Sequence, residues 1–345
     1  MAHNISIVKG KAAIAFVGET PWHGLGQALT PGASIETWVK ESGLDYDIVS
    51  TPVKYEIPMV GDKSTLRNIE GVGSITQNFN AKKVLYRGDT QSPLSVVSSA
   101  YNVVQPREVL EFFRDLVEGV DANMHLETAG SLFGGTRYWA MANTNHEADV
   151  IKNDRICSRL LLTTSCDGTL ATTAKFVSVR VVCNNTLRIA LDSSAEGAAH
   201  VRVTHGSVFN PEKIKESLGL LDSGWESFLK NIKQMAKAKV TDDAAKDFIA
   251  RIMLNDEEKY DDWKKNMDSV HKRVGDKLDT IFNMYKGEGM GADIVTGTVW
   301  GALNAITEYA DHRIGQKNDN KLWNSWFGFS EGLKNKAFAQ ALEMV

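Results

Sequence analysis

The chain has 345 residues, of which 43% are hydrophobic and 24% are charged. This is ordinary globular usage, sufficient for two or three packed domains, and it excludes a disordered, collagen-like or coiled-coil protein. The 39 Lys and Arg against 43 Asp and Glu give a net charge of -4. No global positive field therefore attracts nucleic acid or acidic lipid, and any such site must be local.

The cysteines, the histidines and the first residues bear on chemistry and compartment. Three cysteines without a Cys-x-x-Cys spacing argue against a disulfide framework and a thiolate zinc site. The eight histidines form no His-x-x-x-His pair, and we expect no metal and no cofactor. The N-terminus lacks the basic and apolar regions of a signal peptide, and no apolar stretch is long enough to span a bilayer. We expect a soluble cytoplasmic protein without a membrane partner.

Residues 1–100 mix Gly, Pro and β-branched residues without a sustained helical period. This pattern predicts a β-rich region with strands at 46–55, 84–87 and 94–98, and one short helix at 35–42.

Residues 101–205 are predicted to form a central module. A helix is expected from Pro106 to Gly119, because apolar residues recur at helical spacing between them. The period then changes to two, and turn dipeptides such as Gly134-Gly135 separate the apolar runs. The predicted strands are 125–133, 136–143, 155–164 and 170–183. Their order predicts an antiparallel β-meander packed on helices, with a helix over 186–191 capped by Asn184-Asn185.

Residues 206–345 are predicted to be helical, which makes the whole chain an α+β protein. Gly287-x-Gly289-x-Gly291 does not match a phosphate-binding loop and is interpreted as a flexible linker. An aromatic cluster near the C-terminus suggests oligomerisation, although packing on its own domain is the alternative. The cluster consists of Trp323, Trp326, Phe327 and Phe329. The predicted helices are 212–221, 225–238, 242–254, 258–264, 267–285, 295–312 and a terminal helix.

Arginine is concentrated in residues 125–206, which hold six of the 13 arginines but only two lysines. Arg presents a planar fork for phosphates and a flat cation for stacking. On the predicted strand 170–183, the face with the valines and Lys175 is expected to be core. The opposite face would then line a groove that grips phosphates and stacks bases, although an ordinary amphipathic sheet has the same pattern. The candidate nucleic-acid-binding residues are Arg180, Phe176, Thr172, Arg137, Arg188, Lys175 and Arg159.

Several blocks of the chain are shared with a known family. They are Pro21-Trp22-His23-Gly24-Leu25-Gly26, residues 98–105, residues 127–132, residues 179–187 and Tyr309-x-Asp311-His312. Together they resemble a family of phage- and plasmid-encoded proteins that share a domain of unknown function. The resemblance implies a mobile-element origin, often among replication and recombination genes. The order of helix, β-meander and helix is also similar in topology to single-strand annealing recombinases of the Red-beta and RecT type, although none of their motifs carries over.

These resemblances and the arginine-bearing face together suggest single-stranded DNA binding and annealing in phage recombination, in the cytoplasm of a bacterial host. Such a protein is not an enzyme, and it works as a homo-oligomeric ring or filament in which weak contacts are repeated along one strand. A phage exonuclease and a host single-strand-binding protein are the further partners implied. One alternative is an inhibitor of host defence that binds a protein or a nucleotide. Another is a hydrolase centred on His23 or on Asp311 and His312.

Overall fold

The computed structural model describes residues 4–21, 24–58, 74–119, 124–182, 185–189, 200–207, 221–314 and 320–345. Within this part of the chain, strands dominate the N-terminal region and helices dominate the C-terminal region. The expected α+β class is confirmed. His23, Cys183 and parts of the predicted helices 186–191 and 212–221 lie outside the described residues.

The N-terminal region contributes to three sheets. A small antiparallel pair and a separate three-stranded antiparallel sheet belong to it alone, whereas two further strands are parallel neighbours at one edge of the central sheet. Its helix begins at Ser34, whose hydroxyl accepts a hydrogen bond from the amide of Thr37. The elements are β1 (Ile7–Val8), β2 (Lys11–Ala12), β3 (Ile14–Val17), β4 (Gln27–Leu29), α1 (Ile35–Glu41), β5 (Ile48–Pro58), β6 (Ser74–Arg87) and β7 (Pro93–Ser98).

The central region builds most of an eight-stranded sheet. Its elements are α2 (Pro106–Gly119), β8 (His125–Leu132), β9 (Arg137–Ile151), β10 (Asp154–Ser165), β11 (Thr172–Arg180), β12 (Asn185–Arg188) and β13 (His200–Val203). β8 to β12 are antiparallel neighbours in chain order, as a β-meander requires, and β13 also pairs with β11. β3 pairs with β8, so the N-terminal region completes this sheet.

The C-terminal region is helical and packs on the sheet. Its elements are α3 (Leu221–Lys237), α4 (Asp242–Leu254), α5 (Glu257–Lys265), α6 (Lys272–Asn283), α7 (Ala292–Val295), α8 (Val299–Glu308), α9 (Lys321–Phe327) and α10 (Phe329–Leu342). A π-helical turn, Tyr309–Arg313, extends α8. None of the described helices is long and apolar enough to cross a bilayer.

The two faces of the central sheet are covered by different parts of the chain. Its inner face carries Tyr138, Ala140 and Phe176 and packs against α2, α3 and α8 in the main core. Its outer face carries Trp139 and Leu161, which form a second apolar cluster. The other members of this cluster are Ile5, Ile14, Leu132, Leu322 and Trp326. Residues from both ends of the chain therefore cover the outer face.

Two local expectations were wrong. The segment expected to start a helix at residue 186 is strand β12, because Thr186 and Leu187 lie in register with Val179 and Ser178 of β11. Pairing with an open strand edge satisfies the same backbone groups that a helix would. The long helix expected over 267–285 is divided at Val270, and α6 starts anew with the His271 side chain as its N-cap.

The two ends of the chain also meet directly. The side-chain amide of Asn4 donates a hydrogen bond to Asn320 Oδ1 at 2.5 Å, beside the first turn of α9. The backbone of Ile5 forms an isolated bridge with Leu132 at the end of β8. The N-terminal segment, the central sheet and α9 thus share one boundary.

Candidate functional site

Strand β11 is buried on both of its faces, contrary to the expected groove. Phe176 is only 2% exposed and belongs to the main core, and Thr172 hydrogen-bonds to the Thr164 hydroxyl at 2.8 Å beneath the surface. The expectation that the Arg180 face is open was wrong, and the reason is physical. Valine and phenylalanine both suit a core, so alternation alone does not tell which face the main helices cover.

Arg180 is a buried structural cation. Its Nε donates to Asp154 Oδ1 at 2.6 Å, and both side chains are almost completely buried. Its two Nη atoms donate to the carbonyl oxygens of Met290 (3.2 Å) and Gly291 (3.0 Å), while the second Asp154 oxygen accepts from Trp300 Nε1 at 2.7 Å. The expected groove role of Arg180 is therefore incompatible with its environment.

The glycine segment expected to be a flexible linker is instead a defined turn against Arg180. Gly291 adopts a φ of +64°, and a Cβ placed there would lie 2.6 Å from a Val182 methyl and 3.2 Å from the Arg180 guanidinium. A side chain at this position would have both backbone strain and a clash. The glycine is thus required for the close approach that lets Arg180 reach two carbonyl groups.

The opposite, outer face of the sheet carries a group of cations, of which Lys175 is buried. An open pocket of about 270 Å³ lies between this face and the helices α9 and α10. We call it the cationic pocket. Its charged side chains are Arg137, Lys175, Arg188, Arg202 and Glu331, and its other lining residues include Thr173, Trp323 and Phe327. The lining thus has four cations, one carboxylate and two aromatic rings. One of the four, Arg137, is also paired with a carboxylate beside the pocket, since its Nε lies 3.5 Å from Asp167 Oδ2.

Two of the four cations are held in place by aromatic rings. The Arg137 guanidinium lies between the rings of Phe133 and Trp323, at 4.4 and 4.1 Å from their centroids. Lys175 Nζ lies 3.9 Å from the Phe327 ring centroid, donates to Glu331 Oε1 at 2.8 Å and also donates to the Trp326 carbonyl. Burial lowers the pKa of Lys175 to about 8, against the opposing attraction of Glu331.

Arg188 and Arg202 are the free cations of this pocket. Within the described ranges, neither guanidinium group has a hydrogen-bond or ion-pair partner. Arg188 lies on β12 opposite Val177, and Arg202 lies on β13 opposite Thr173. Because β10 pairs with the other edge of β11, both arginines lie along the same edge of β11 and on the same face of the sheet. A guanidinium without a protein partner is available to an anion.

A second pocket lies on the same face, on the other side of α9. Its volume is about 330 Å³, and we call it the neutral pocket. Its apolar wall includes Phe16, Met141, Val179, Leu322 and Trp326, and its polar rim and floor include Glu19, Glu127, Thr128, Trp139, Arg159, Asp311 and His312. Adjacent residues of one helix, Trp326 and Phe327, therefore line two different pockets.

A comparison with protein-family models gives one match, which covers most of the strands and helices described above. The model described as domain of unknown function (DUF932) matches residues 93–326. The chain belongs to the DUF932 family. The match runs from β7 to the last turn of α9 and contains all seven sequence-derived candidate residues. No curated protein and no solved structure matches the chain.

In this DUF932 chain, Arg159 lies in the neutral pocket and is already paired. Its Nε hydrogen-bonds to Glu127 Oε2, and its Nη2 lies 3.3 Å from Glu127 Oε1. Of the candidate residues, the structure thus brings together Arg137, Lys175 and Arg188, and it separates them from Arg159. Thr172, Phe176 and Arg180 lie beneath the sheet.

The carboxylate proposed for a hydrolase is occupied by structural contacts. Asp311 Oδ1 accepts from Lys334 Nζ and Ser325 Oγ, each at 2.6 Å, and Oδ2 accepts from the Thr186 amide at 3.0 Å. Both oxygens of this carboxylate therefore already accept hydrogen bonds from donors other than the His312 ring. Burial likewise raises the pKa of the Cys166 thiol to about 12, which argues against a thiolate nucleophile there.

Sequence reasoning missed three residues of the cationic pocket. Arg202 is on the four-residue strand β13 and was counted among the arginines of the central segment, but it was not chosen as a candidate. Trp323 and Phe327 were singled out as aromatic, but for assembly. If the pairing of β13 with β11 had been known, the alternation of side chains along the two strands would have placed Arg202 on the same face as Lys175.

Proposed function

We propose that this DUF932 protein binds single-stranded DNA at the cationic pocket and promotes annealing of complementary strands in recombination of a mobile element. The observation that carries the proposal is the convergence of four cations and two aromatic rings around one open pocket, in which Arg188 and Arg202 have no protein partner among the described residues. Phosphates bind to the guanidinium groups, and bases stack on aromatic rings; this is the combination that sequence-independent single-strand binders use.

The electrostatics of the pocket support an anionic ligand. The chain as a whole carries a net charge of -4, whereas the lining of this pocket has four cations and one carboxylate. The free guanidinium groups of Arg188 and Arg202 lie along one edge of β11, opposite Val177 and Thr173, the same-face neighbours of the buried Lys175. A phosphate between them would relieve repulsion among the three cations.

Annealing requires no bond chemistry, and the site has none to offer. A protein that holds one strand by its phosphates leaves base edges free for a complementary strand. Repetition of the pocket around a homo-oligomer would convert weak contacts per subunit into strong binding along one strand. An exonuclease or a single-strand-binding protein of the host is the class of partner that supplies such strands.

The test is fluorescence anisotropy with labelled single-stranded oligonucleotides over a range of salt concentrations. The double variant Arg188→Ala/Arg202→Ala is expected to weaken binding about tenfold or more at low salt, because two phosphate contacts are lost. The slope of log K against log salt should decrease in magnitude by about 1.4, which is the value for two contacts to a single strand. An annealing assay with complementary oligonucleotides should show a parallel loss.

The matched control is Arg155→Ala. Arg155 lies on the same sheet, its side chain is 58% exposed, and it pairs with Glu147 and Asp149 away from the pocket. This variant should bind as the wild type does. Equal affinities and slopes for the double variant and the wild type would refute the proposal.

Strand length separates this function from the nucleotide-binding alternative. A strand binder gains affinity as the oligonucleotide lengthens and occupies further subunits. A nucleotide binder, by contrast, has an affinity that does not increase with the length of the oligonucleotide. Saturable binding of a mononucleotide, with no gain in affinity for longer strands, would contradict annealing. It would support the alternative in which the pocket binds a signalling nucleotide.

A further inference from the structure

Two polar groups of the neutral pocket are buried without a partner. Among the described residues, neither Trp139 Nε1 nor Thr128 Oγ1 has a hydrogen bond. Both side chains line the pocket, and Trp139 is 1% exposed. A buried donor without an acceptor costs free energy that a bound ligand can recover. A ligand that places an acceptor at the Trp139 N–H and a donor or an acceptor at the Thr128 hydroxyl would satisfy both groups.

The walls of the pocket require a flat and largely apolar ligand body. Trp139 and Trp326 meet edge to face with their ring centroids 5.4 Å apart, and both line the pocket. Phe16, Met141 and Val179 complete the wall. The volume of about 330 Å³ lies within the range of small-molecule sites.

The charges of this pocket disfavour phosphate. Arg159 is neutralised by Glu127, and Asp311 is neutralised by Lys334. The exposed Glu19 at the rim adds a further negative charge. The neutral pocket thus has the opposite preference to the cationic pocket, and a neutral ligand with a donor group directed toward Glu19 fits it best.

We infer that the neutral pocket binds a nucleobase. A nucleobase is flat, carries carbonyl or ring-nitrogen acceptors for the donors of Thr128 and Trp139, and carries N–H donors for the rim. Proteins that take up an unpaired base read it in this way, by hydrogen bonds to its edge and by contact with aromatic and apolar side chains. The base belongs either to a free nucleoside or to an unstacked nucleotide of a bound strand.

Thr128→Val is the decisive variant because it should weaken nucleoside binding without lowering the stability of the fold. The methyl group replaces a hydroxyl that has no protein partner, so the melting temperature should stay equal or rise. Calorimetric titration with adenosine, guanosine, cytidine and thymidine should show saturable binding of at least one nucleoside to the wild type. The variant should bind that nucleoside about tenfold more weakly.

Thr51→Val is the matched control. Thr51 lies exposed on β5, away from the pocket, and its variant should bind nucleosides as the wild type does. Arg188→Ala/Arg202→Ala should leave nucleoside binding unchanged. The nucleobase proposal for the neutral pocket and the DNA-binding proposal for the cationic pocket are therefore tested independently.

Oligonucleotides identify the source of the base. If it belongs to a bound strand, Thr128→Val should weaken binding of a normal single strand but not of an abasic strand of the same length. If it is a free nucleoside, both strands should bind equally well to variant and wild type. The inference is overturned if Thr128→Val changes neither nucleoside nor strand binding, or if millimolar nucleosides give no heat and strand binding is unaffected.

Discussion

At the residue scale, Arg180 shows that the partners of a cation on a strand, and not its position along the strand, determine whether it is buried. Spacing alone placed it on an exposed face, but Asp154, Met290 and Gly291 bind all of its donor groups inside the protein. These partners lie 26 to 111 residues away in sequence. No local pattern contains that information.

Replacement of Arg180 should therefore affect stability first. Arg180→Ala leaves the carboxylate of Asp154 buried with only Trp300 as a donor, and loss of one partner of a buried ion pair typically costs about 3–5 kcal/mol. Urea denaturation followed by circular dichroism should show a decrease of this size in the free energy of unfolding. Arg155→Ala, which removes an exposed arginine, should cost less than about 1 kcal/mol. Similar values for the two variants would contradict the buried pair.

Lys175 predicts a pH dependence of stability. Burial lowers its pKa in the folded protein to about 8 from 10.5, and the positive charges of Lys334 and Arg188 add to this shift. Between these two values the unfolded chain binds more protons than the folded chain, so the free energy of unfolding rises with pH by up to about 3 kcal/mol. Below pH 8 both states are protonated, and this contribution is constant.

Lys175→Met tests this dependence. The difference in free energy of unfolding between wild type and variant should shift in favour of the wild type as the pH rises from about 8 to 10.5. Chemical denaturation at several pH values measures it. Parallel profiles across this window would show that Lys175 does not titrate there.

At the scale of elements, α9 determines what the outer face of the sheet exposes. Trp326 packs against Trp139 in the second apolar cluster, whereas Phe329 at the start of α10 is 68% exposed. Of the four aromatic residues considered for assembly, Trp323, Trp326 and Phe327 pack on their own chain.

Trp326→Ala and Phe329→Ala form a matched pair. Trp326→Ala leaves a cavity between α9 and the sheet, and the expected loss is about 3–5 kcal/mol. Phe329→Ala removes an exposed ring and should change stability by less than about 1 kcal/mol. Equilibrium unfolding of the two variants measures both values. Equal losses would mean that α9 does not cover the sheet as described.

Most elements were predictable because their patterns are local. α4 was predicted with its observed bounds, and α2 was predicted from Pro106 to Gly119 as found. The β-meander followed from period-two segments separated by turn residues. The face that carries the cationic pocket was not predictable, because the sheet is covered on one side by α2, α3 and α8 and on the other by helices about 150 residues downstream of β11. Lys175 and Trp326, which are 151 residues apart, illustrate that distance.

At the scale of the whole molecule, the folded unit is larger than the family match. Residues 93–326 lack β3, which pairs with β8, and lack α10, whose Ala337 and Ala341 are buried in the main core. Trp38, Val39 and Leu44 of the N-terminal region belong to the same core. The three regions predicted from the sequence therefore share one core.

A fragment restricted to residues 93–326 should fail to fold cooperatively. It would expose an edge of β8 and the apolar surface that α10 covers, and both favour aggregation. Thermal unfolding followed by circular dichroism should show a sharp transition for the full chain and none for the fragment. A fragment with a cooperative transition near that of the full chain would contradict a shared core.

The contact between Asn4 and Asn320 has a consequence for the order of events during synthesis. The two residues are 316 positions apart, and ribosomes add about 5–20 residues per second. The N-terminal segment therefore waits roughly 15–60 s before α9 emerges to meet it. From the synthesis of Leu161 to that of Trp326, about 8–33 s at this rate, the outer surface of the nascent sheet lacks the cover of α9, and Trp139 and Leu161 are accessible to chaperones. The contact between the N-terminal segment and α9 is thus expected to form only after α9 has left the ribosome.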